Sequence, residues 1–122
     1  MTVVELECPA ELRTAALAAL DAAGIAEGHL SIELVDEARI RELNRDHRGL
    51  DRPTDVLSFP VDGAGAVLGP RELGDVVICP AHTTDLQEAV VHGVLHLAGY
   101  DHESDEGEML ALQDDVMGRL PA

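Results

Sequence analysis

The sequence predicts an α+β fold: a single four-stranded sheet covered by helices. Strand-type and helix-type patterns follow one another as β-α-β-α-β-β-α-α, an order that fits helices laid on one sheet. The apolar residues are nearly all Ala, Val, Leu and Ile, with Phe59 and Tyr100 the only aromatics, so the core is aliphatic. At 122 residues the chain is long enough for one core, and residues 1–122 are read as one domain.

Thr2 to Leu6 alternates as a short strand. Cys8-Pro9 leads into an Ala/Leu-rich helix from Ala10 to Ala23, with proline in the first turn and Gly24 as its stop. Leu30 to Val35 reads as the second strand. Asp36 is placed to cap a helix from Glu37 to about Asn44, with Ile40 and Leu43 facing inward. The third strand is Val56 to Val61, and glycines and a proline between Asp62 and Glu72 mark a loop. Gly74 to Cys79 is apolar enough to be buried on both faces. Two helices close the chain, Asp85 to Ala98 and Glu106 to Arg119, the first with Thr84 and Gln87 as a capping box.

The formal charge of −16 argues against a broad basic surface for nucleic acid, and duplex DNA is not expected as a partner. The chain contains no lysine, and five of its arginines (Arg39, Arg41, Arg45, Arg48 and Arg52) fall within fourteen residues. Acid gathers elsewhere: Asp101 to Asp115 holds seven carboxylates and no Lys or Arg. No apolar run suits a membrane span, and an acidic N-terminus is unlike a signal peptide. Cys8 and Cys79 belong to no CxxC and are read as ordinary thiols of a cytoplasmic protein.

The stretch from Val90 to His102 carries the chemistry. On a helical wheel of about 100° per residue, Val90, Val91, Val94, Leu97 and Ala98 form one stripe, and His92 and His96 stack on the opposite side. Imidazoles at i and i+4 can share one metal ion. Gly99 stops the helix, and the chain can swing back so that His102 becomes a third ligand. His-x3-His-x5-His is the spacing of a zincin-like three-histidine site, and three protein ligands leave a position open, as in catalytic zinc centres. One Zn2+ is the expected cofactor, although imidazole also accepts nickel, copper and iron. Metalloproteases place a glutamate base directly after the first histidine; here that residue is Gly93, which turns the reading away from peptide hydrolysis.

The segment from His92 to His102 resembles the HGxLHLxGYDH signature of the YbeY family of endoribonucleases. Leu43-Asn44 through Arg48-Gly49, Pro53 to Pro60, and Leu73 to Pro80 resemble further blocks of that family, so the likeness spans roughly residues 30 to 117. The segment between Pro80 and the histidine helix is shorter than the family pattern. The resemblance implies an α+β fold, zinc on His92, His96 and His102, and cleavage of single-stranded RNA. It further implies maturation of ribosomal RNA, notably at the 3′ end of the small-subunit RNA, and ribosome quality control with the small subunit or its proteins as partners. By the same likeness Arg48 matches a functionally essential arginine.

Arg41, Arg45, Arg48 and Arg52 lie at i, i+4, i+7 and i+11, and guanidinium groups bind phosphate oxygens well. The plainer reading makes them a solvated helix face with Glu42 and Asp46 as partners; the likeness separates Arg48 from that group. No general base stands out. Asp101 is open to two readings, a base or a carboxylate orienting an imidazole. Asp55 suits a turn hydrogen bond, and Asp75 has no assigned task. Two further functions remain in view: a metal-dependent hydrolase of peptides or small molecules, and a non-catalytic, zinc-stabilised ribosome adaptor whose site is closed by a fourth ligand such as His82.

Overall fold

A computed structural model describes residues 3–61, 72–101 and 103–120, with the side chain of Val3 excepted. The elements are β1 (Val3–Glu7), α1 (Arg13–Ala22), β2 (Glu27–Leu34), α2 (Glu37–Arg48), β3 (Val56–Pro60), β4 (Glu72–Ile78), α3 (Leu86–Leu97) and α4 (Glu108–Arg119). The expected order of strands and helices is therefore observed. The loop anticipated from Asp62 onward lies outside the described residues as far as Arg71, and so does His102.

Four strands form one open sheet in the order β1-β2-β4-β3. β1 and β4 run parallel to β2, and β3 is antiparallel to β4. Leu6 pairs with Leu30, Ile32 with Val76, and Val76 with Ser58 across the sheet. β4 is central and buried except at Glu72 and Asp75, in keeping with its apolar run from Val76 to Ile78.

Several boundaries differ from the sequence expectation for local reasons. β2 begins at Glu27 rather than Leu30, because Glu27 and Gly28 pair with β1 and His29 with both β1 and β4. The N-terminal helix is divided: Ala10–Leu12 is a 3-10 turn and the α-helix starts at Arg13. α2 runs on to Arg48, since Asn44 is a buried position within it rather than its end. The capping box on Thr84 does not form. Asp85, one residue nearer the helix, accepts from the backbone N–H of Gln87 at 3.0 Å and of Glu88 at 3.2 Å. A carboxylate there satisfies two first-turn donors and complements the helix dipole. Asp36 caps α2 as expected, accepting from the Arg39 N–H at 2.8 Å.

The larger core lies on one sheet face. Leu30 and Ile32 of β2 and Val76 and Ile78 of β4 meet Ala15, Ala16, Ala19 and Leu20 of α1, Val90, Val91 and Val94 of α3, and Met109 and Val116 of α4. Alanines along α1 allow it to come close to α3, a contact that larger side chains would hold apart. On the opposite face Ile40 of α2 packs with Leu57 and Cys79, edged by Val35, Leu43 and Phe59. Both cysteines are free thiols. Among the described residues no helix is long and apolar enough to cross a membrane.

Two close approaches set the geometry. At Gly74 (φ +131°) β4 meets β3 so tightly that a Cβ would stand 2.2 Å from the Phe59 carbonyl oxygen. The same spot adjoins an irregularity in the β2 pairing, where His29 faces Glu72 and Leu30 faces Gly74. The second approach is α3 on the sheet. A Cβ at Gly93 would stand 2.6 Å from Val76 Cγ1, 3.2 Å from Ser58 Oγ and 3.3 Å from Val56 Cγ2. Ser58 fastens that contact by donating to the Gly93 carbonyl at 2.9 Å. The short, β-branched Val76 sits fully buried and has little room to yield. Gly93→Ala is therefore expected to destabilise the fold by about 1–3 kcal/mol. In denaturant unfolding of Gly93→Ala, Val76→Ala and the double variant, the double variant should lose less than the sum of the singles; simple additivity would refute the contact.

His29 ties three strands together. Its Nδ1 lies 2.8 Å from Glu72 of β4 and its Nε2 3.5 Å from Glu7 of β1. The hydrogen bond with Glu72 is the main cause raising the imidazole above its ordinary value, with Glu7 adding to it and partial burial opposing it. A raised folded value means the contribution is complete below the unfolded value of 6.5 and fades as pH climbs through the folded one. His29→Gln should accordingly lower the Tm by about 1–4 °C near pH 5.5 and by less near pH 9, as followed by circular dichroism. An equal loss at both pH values would contradict the strap.

Candidate functional site

α3 places His92 and His96 one turn apart, and both imidazoles are half-buried. Their Nε2 atoms are 3.2 Å apart. The Nδ1 of His92 lies 2.8 Å from Oε1 of Gln113 on α4. The Nδ1 of His96 lies 3.0 Å from the Tyr100 carbonyl oxygen. Amide and peptide oxygens only accept, so each Nδ1 carries the proton and donates it. Each Nε2 then turns a lone pair toward the other. Two lone pairs at this distance repel unless a proton or a cation stands between them. Nitrogens bound to one tetrahedral zinc at 2.0–2.1 Å are about 3.3 Å apart, so this pair fits such an ion.

The turn after α3 completes the arrangement. Gly99 (φ +102°) donates to the His96 carbonyl and Tyr100 to the Leu95 carbonyl, which brings the Tyr100 oxygen back to the His96 ring. Among the described residues no third His, Cys, Asp or Glu completes a metal-holding group. His102, the residue expected to do so, lies outside them.

The two histidines lie opposite the valine stripe, as the wheel places them, and are half-buried. Gly93 and Leu95 on either side are buried, and α3 is enclosed by α1, α4 and the sheet. His92 and His96 form one wall of a cleft of about 860 Å3. β3 lines its floor from Val56 to Pro60, and His47 and Arg48 at the end of α2 form the far wall. Asn44, buried within α2, donates to the Arg52 carbonyl at 2.9 Å and holds the chain beyond Gly49 against the helix.

This architecture divides the arginine cluster. Arg39 pairs with Glu42 at 2.7 Å, Arg41 with Asp51 at 2.9 Å and Arg45 with Asp46 at 3.2 Å, all on the exposed side of α2. Asp51 is correspondingly held below the usual carboxylate value, chiefly by its hydrogen bond from Arg41. For these three the solvated-face reading holds. Arg48 lines the cleft, and among the described residues it forms no ion pair. Arg52 lies beyond the helix end.

The remaining candidates fall into place. Asp55 accepts from the Val56 N–H at 2.8 Å and from Thr54 at 3.3 Å, the turn role expected for it. Asp75 is exposed on β4 and is not part of the cleft wall. Asp101 lines the cleft, and its carboxylate accepts from the Glu103 N–H and the Ser104 hydroxyl, each at 3.0 Å, which shapes the following turn. His82 is engaged with Glu37 at 3.1 Å, at the start of α2.

Several cleft residues escaped the sequence reading, His47 and Glu103 among them. Gln113 is nearly buried and reaches His92 from 21 residues away. Ser58 and Phe59 lie on the cleft floor, the latter edge-on to His47 with ring centroids 4.8 Å apart. A signal for Gln113 was present: Met109, Gln113 and Val116 form the inward stripe of α4, and a polar residue on such a stripe needs a partner.

Comparison with known proteins points to one family. The family model described as "Endoribonuclease YbeY" matches residues 4–121, extending the likeness through the N-terminal strand and helix. The "Endoribonuclease YbeY" of Bacillus cytotoxicus is 41% identical, with 78% of this chain and 75% of that protein covered. The protein so named in Paramagnetospirillum magneticum is 42% identical, with 96% of this chain and 90% of that protein covered. The solution structure of TM1509 from Thermotoga maritima superposes with a TM-score of 0.54 at 29% identity, covering 95% of this chain and 86% of that one. With a family model spanning nearly its whole length and relatives above 40% identity, the chain belongs to the endoribonuclease YbeY family.

Proposed function

We propose that this chain is a zinc-dependent endoribonuclease of single-stranded RNA that acts in the cytoplasm on ribosomal RNA, at the 3′ end of the small-subunit RNA, and in ribosome quality control. Residues 1–122 act as one catalytic domain, and the small subunit or its proteins present the substrate. The observation that carries the reading is the convergence of two imidazole Nε2 atoms, 3.2 Å apart, on a cleft whose opposite wall ends in Arg48, within a chain of the endoribonuclease family.

His92, His96 and His102 hold the ion. When bound, zinc supplies Lewis acidity for hydrolysis of a phosphodiester. The protein's own groups do the rest. The Tyr100 carbonyl keeps the proton of His96 on Nδ1, so that its Nε2 can serve as a ligand. Arg48 binds the scissile phosphate and offsets negative charge that develops on it. β3, from Val56 to Pro60, lines the cleft beside the histidines. Peptide hydrolysis fits less well: Gly93 is pressed against Val76 and Ser58, so a glutamate base cannot stand at that position.

His96→Ala is expected to abolish stoichiometric zinc binding, measured by metal analysis after dialysis; unchanged metal content would remove His96 from the site. Arg48→Glu should retain zinc and lose RNA cleavage by about 100-fold or more. Activity equal to the parent would exclude Arg48 from the mechanism. Incubating zinc-loaded protein and its His92→Ala variant with single-stranded RNA and with casein separates the functions. RNA cleavage confined to the parent supports the nuclease, casein cleavage supports a peptidase, and inactivity on both supports the adaptor.

A further inference from the structure

We propose that Gln113 is a positioning residue for His92, selecting the imidazole tautomer whose Nε2 is free to bind the metal. The inference rests on the reading of His92 as a ligand. Gln113 is 8% exposed and lies on the inward stripe of α4 between Met109 and Val116. Its Oε1 stands 2.8 Å from His92 Nδ1, the one side-chain contact described between α4 and the histidine pair. A second cavity of about 410 Å3, reaching Asp55 and Val56 at the start of β3, borders the same two residues, so apolar packing alone does not hold the ring. Without an acceptor at Nδ1, a neutral imidazole in water prefers the proton on Nε2, the nitrogen that must be vacant.

The chemistry of the acceptor matters as much as its presence. α4 and the turn before it are rich in carboxylates, yet the residue that meets His92 is an amide. His96 is likewise met by a neutral oxygen, the Tyr100 carbonyl. A carboxylate at either place would share the imidazole proton and pass negative charge toward the ion. Two neutral acceptors orient the rings and leave the positive charge of the centre undiminished, which suits an anionic phosphodiester.

Two variants test the assignment. Gln113→Met keeps the volume and removes the acceptor; Gln113→Glu keeps the acceptor and adds charge. In metal-free protein near pH 8.5, long-range 1H–15N correlation spectra of the His92 ring report which nitrogen is protonated. The parent and Gln113→Glu should show the proton on Nδ1, whereas Gln113→Met should shift His92 toward the Nε2–H form. Zinc affinity, from competition with a chromophoric chelator, should fall about 10–100-fold in Gln113→Met and stay within threefold of the parent, or rise, in Gln113→Glu. Thermal stability of Gln113→Met should fall only slightly, because methionine fills the volume of the amide and the half-buried His92 ring can pair its Nδ1 with water instead. A purely structural role would move stability and zinc affinity together.

Gln113→Met with parental zinc affinity and an Nδ1–H ring would overturn the proposal. So would Gln113→Glu binding as weakly as Gln113→Met. Should Gln113→Met fail to fold, Gln113→Glu and the parental tautomer still decide. If the parent itself binds no zinc, the ligand reading fails, while the spectra of the metal-free protein judge Gln113 independently.

Discussion

The absence of a side chain at residue 93 is the constraint on which the rest of the site depends. With nothing beyond Cα, α3 settles onto Val76 and Ser58, and the Ser58 hydroxyl fixes the contact through the Gly93 carbonyl. Take that contact as the direction of the sheet. At about 100° per residue, His92 and His96 then lie about 100° and 60° to the same side of it. Both rings are carried to the flank where β3 ends and the cleft begins. A larger residue would lift the helix, part the imidazoles from the cleft floor and disturb the separate acceptors at Gln113 and Tyr100. The residue that removes a peptidase base is thus also the one that seats the histidines.

Much of this was legible along the chain, for identifiable reasons. Apolar periodicity placed the strands and helices because most of them bury a single face, and β4 showed its central position through the apolar run from Val76 onward. The i, i+4 histidines were visible since helical geometry alone makes them neighbours. What stayed hidden depends on packing between distant segments. A wheel drawn for α3 sets the stripe of valines against the histidines, but it contains no information on the sheet pressing at Gly93. Gln113 is separated from His92 by the whole turn between the helices, and only the packing of α4 brings them together. The capping of α3 moved from Thr84 to Asp85 through a choice between adjacent residues that propensity barely distinguishes.

The arginines show the same divide between pattern and packing. Their spacing put them all on one face, yet the exposed members found carboxylates within a few residues, at Glu42, Asp46 and Asp51. Such pairs contribute little to stability, but they consume donors that would otherwise attract phosphate. Arg48 differs by position. It is the last residue of α2, where Gly49 turns the chain, and it faces the cleft rather than the acidic neighbours. Asn44 holds the segment beyond that turn, so the arginine is presented from a fixed helix end.

Charge then limits how such a cleft can meet RNA. A protein carrying −16 repels a polyanion at long range, although at physiological ionic strength that field is screened within about 8 Å. Inside the cleft the balance is local. Asp55, Asp101 and Glu103 line the cleft together with Arg48, and hydrogen bonds from backbone N–H groups and hydroxyls occupy oxygens of the first two without cancelling their charge, so Arg48 is the one arginine among the lining residues that can meet a phosphate. The attraction is thus confined to the place where a phosphate would react and absent along the path a strand would follow to reach it. With Phe59 and Tyr100 the only aromatics, stacking cannot supply the missing affinity. A nuclease built in this way gains selectivity from the company it keeps: in the proposed setting, an RNA end already held by the ribosome needs no basic track, and free RNA finds none.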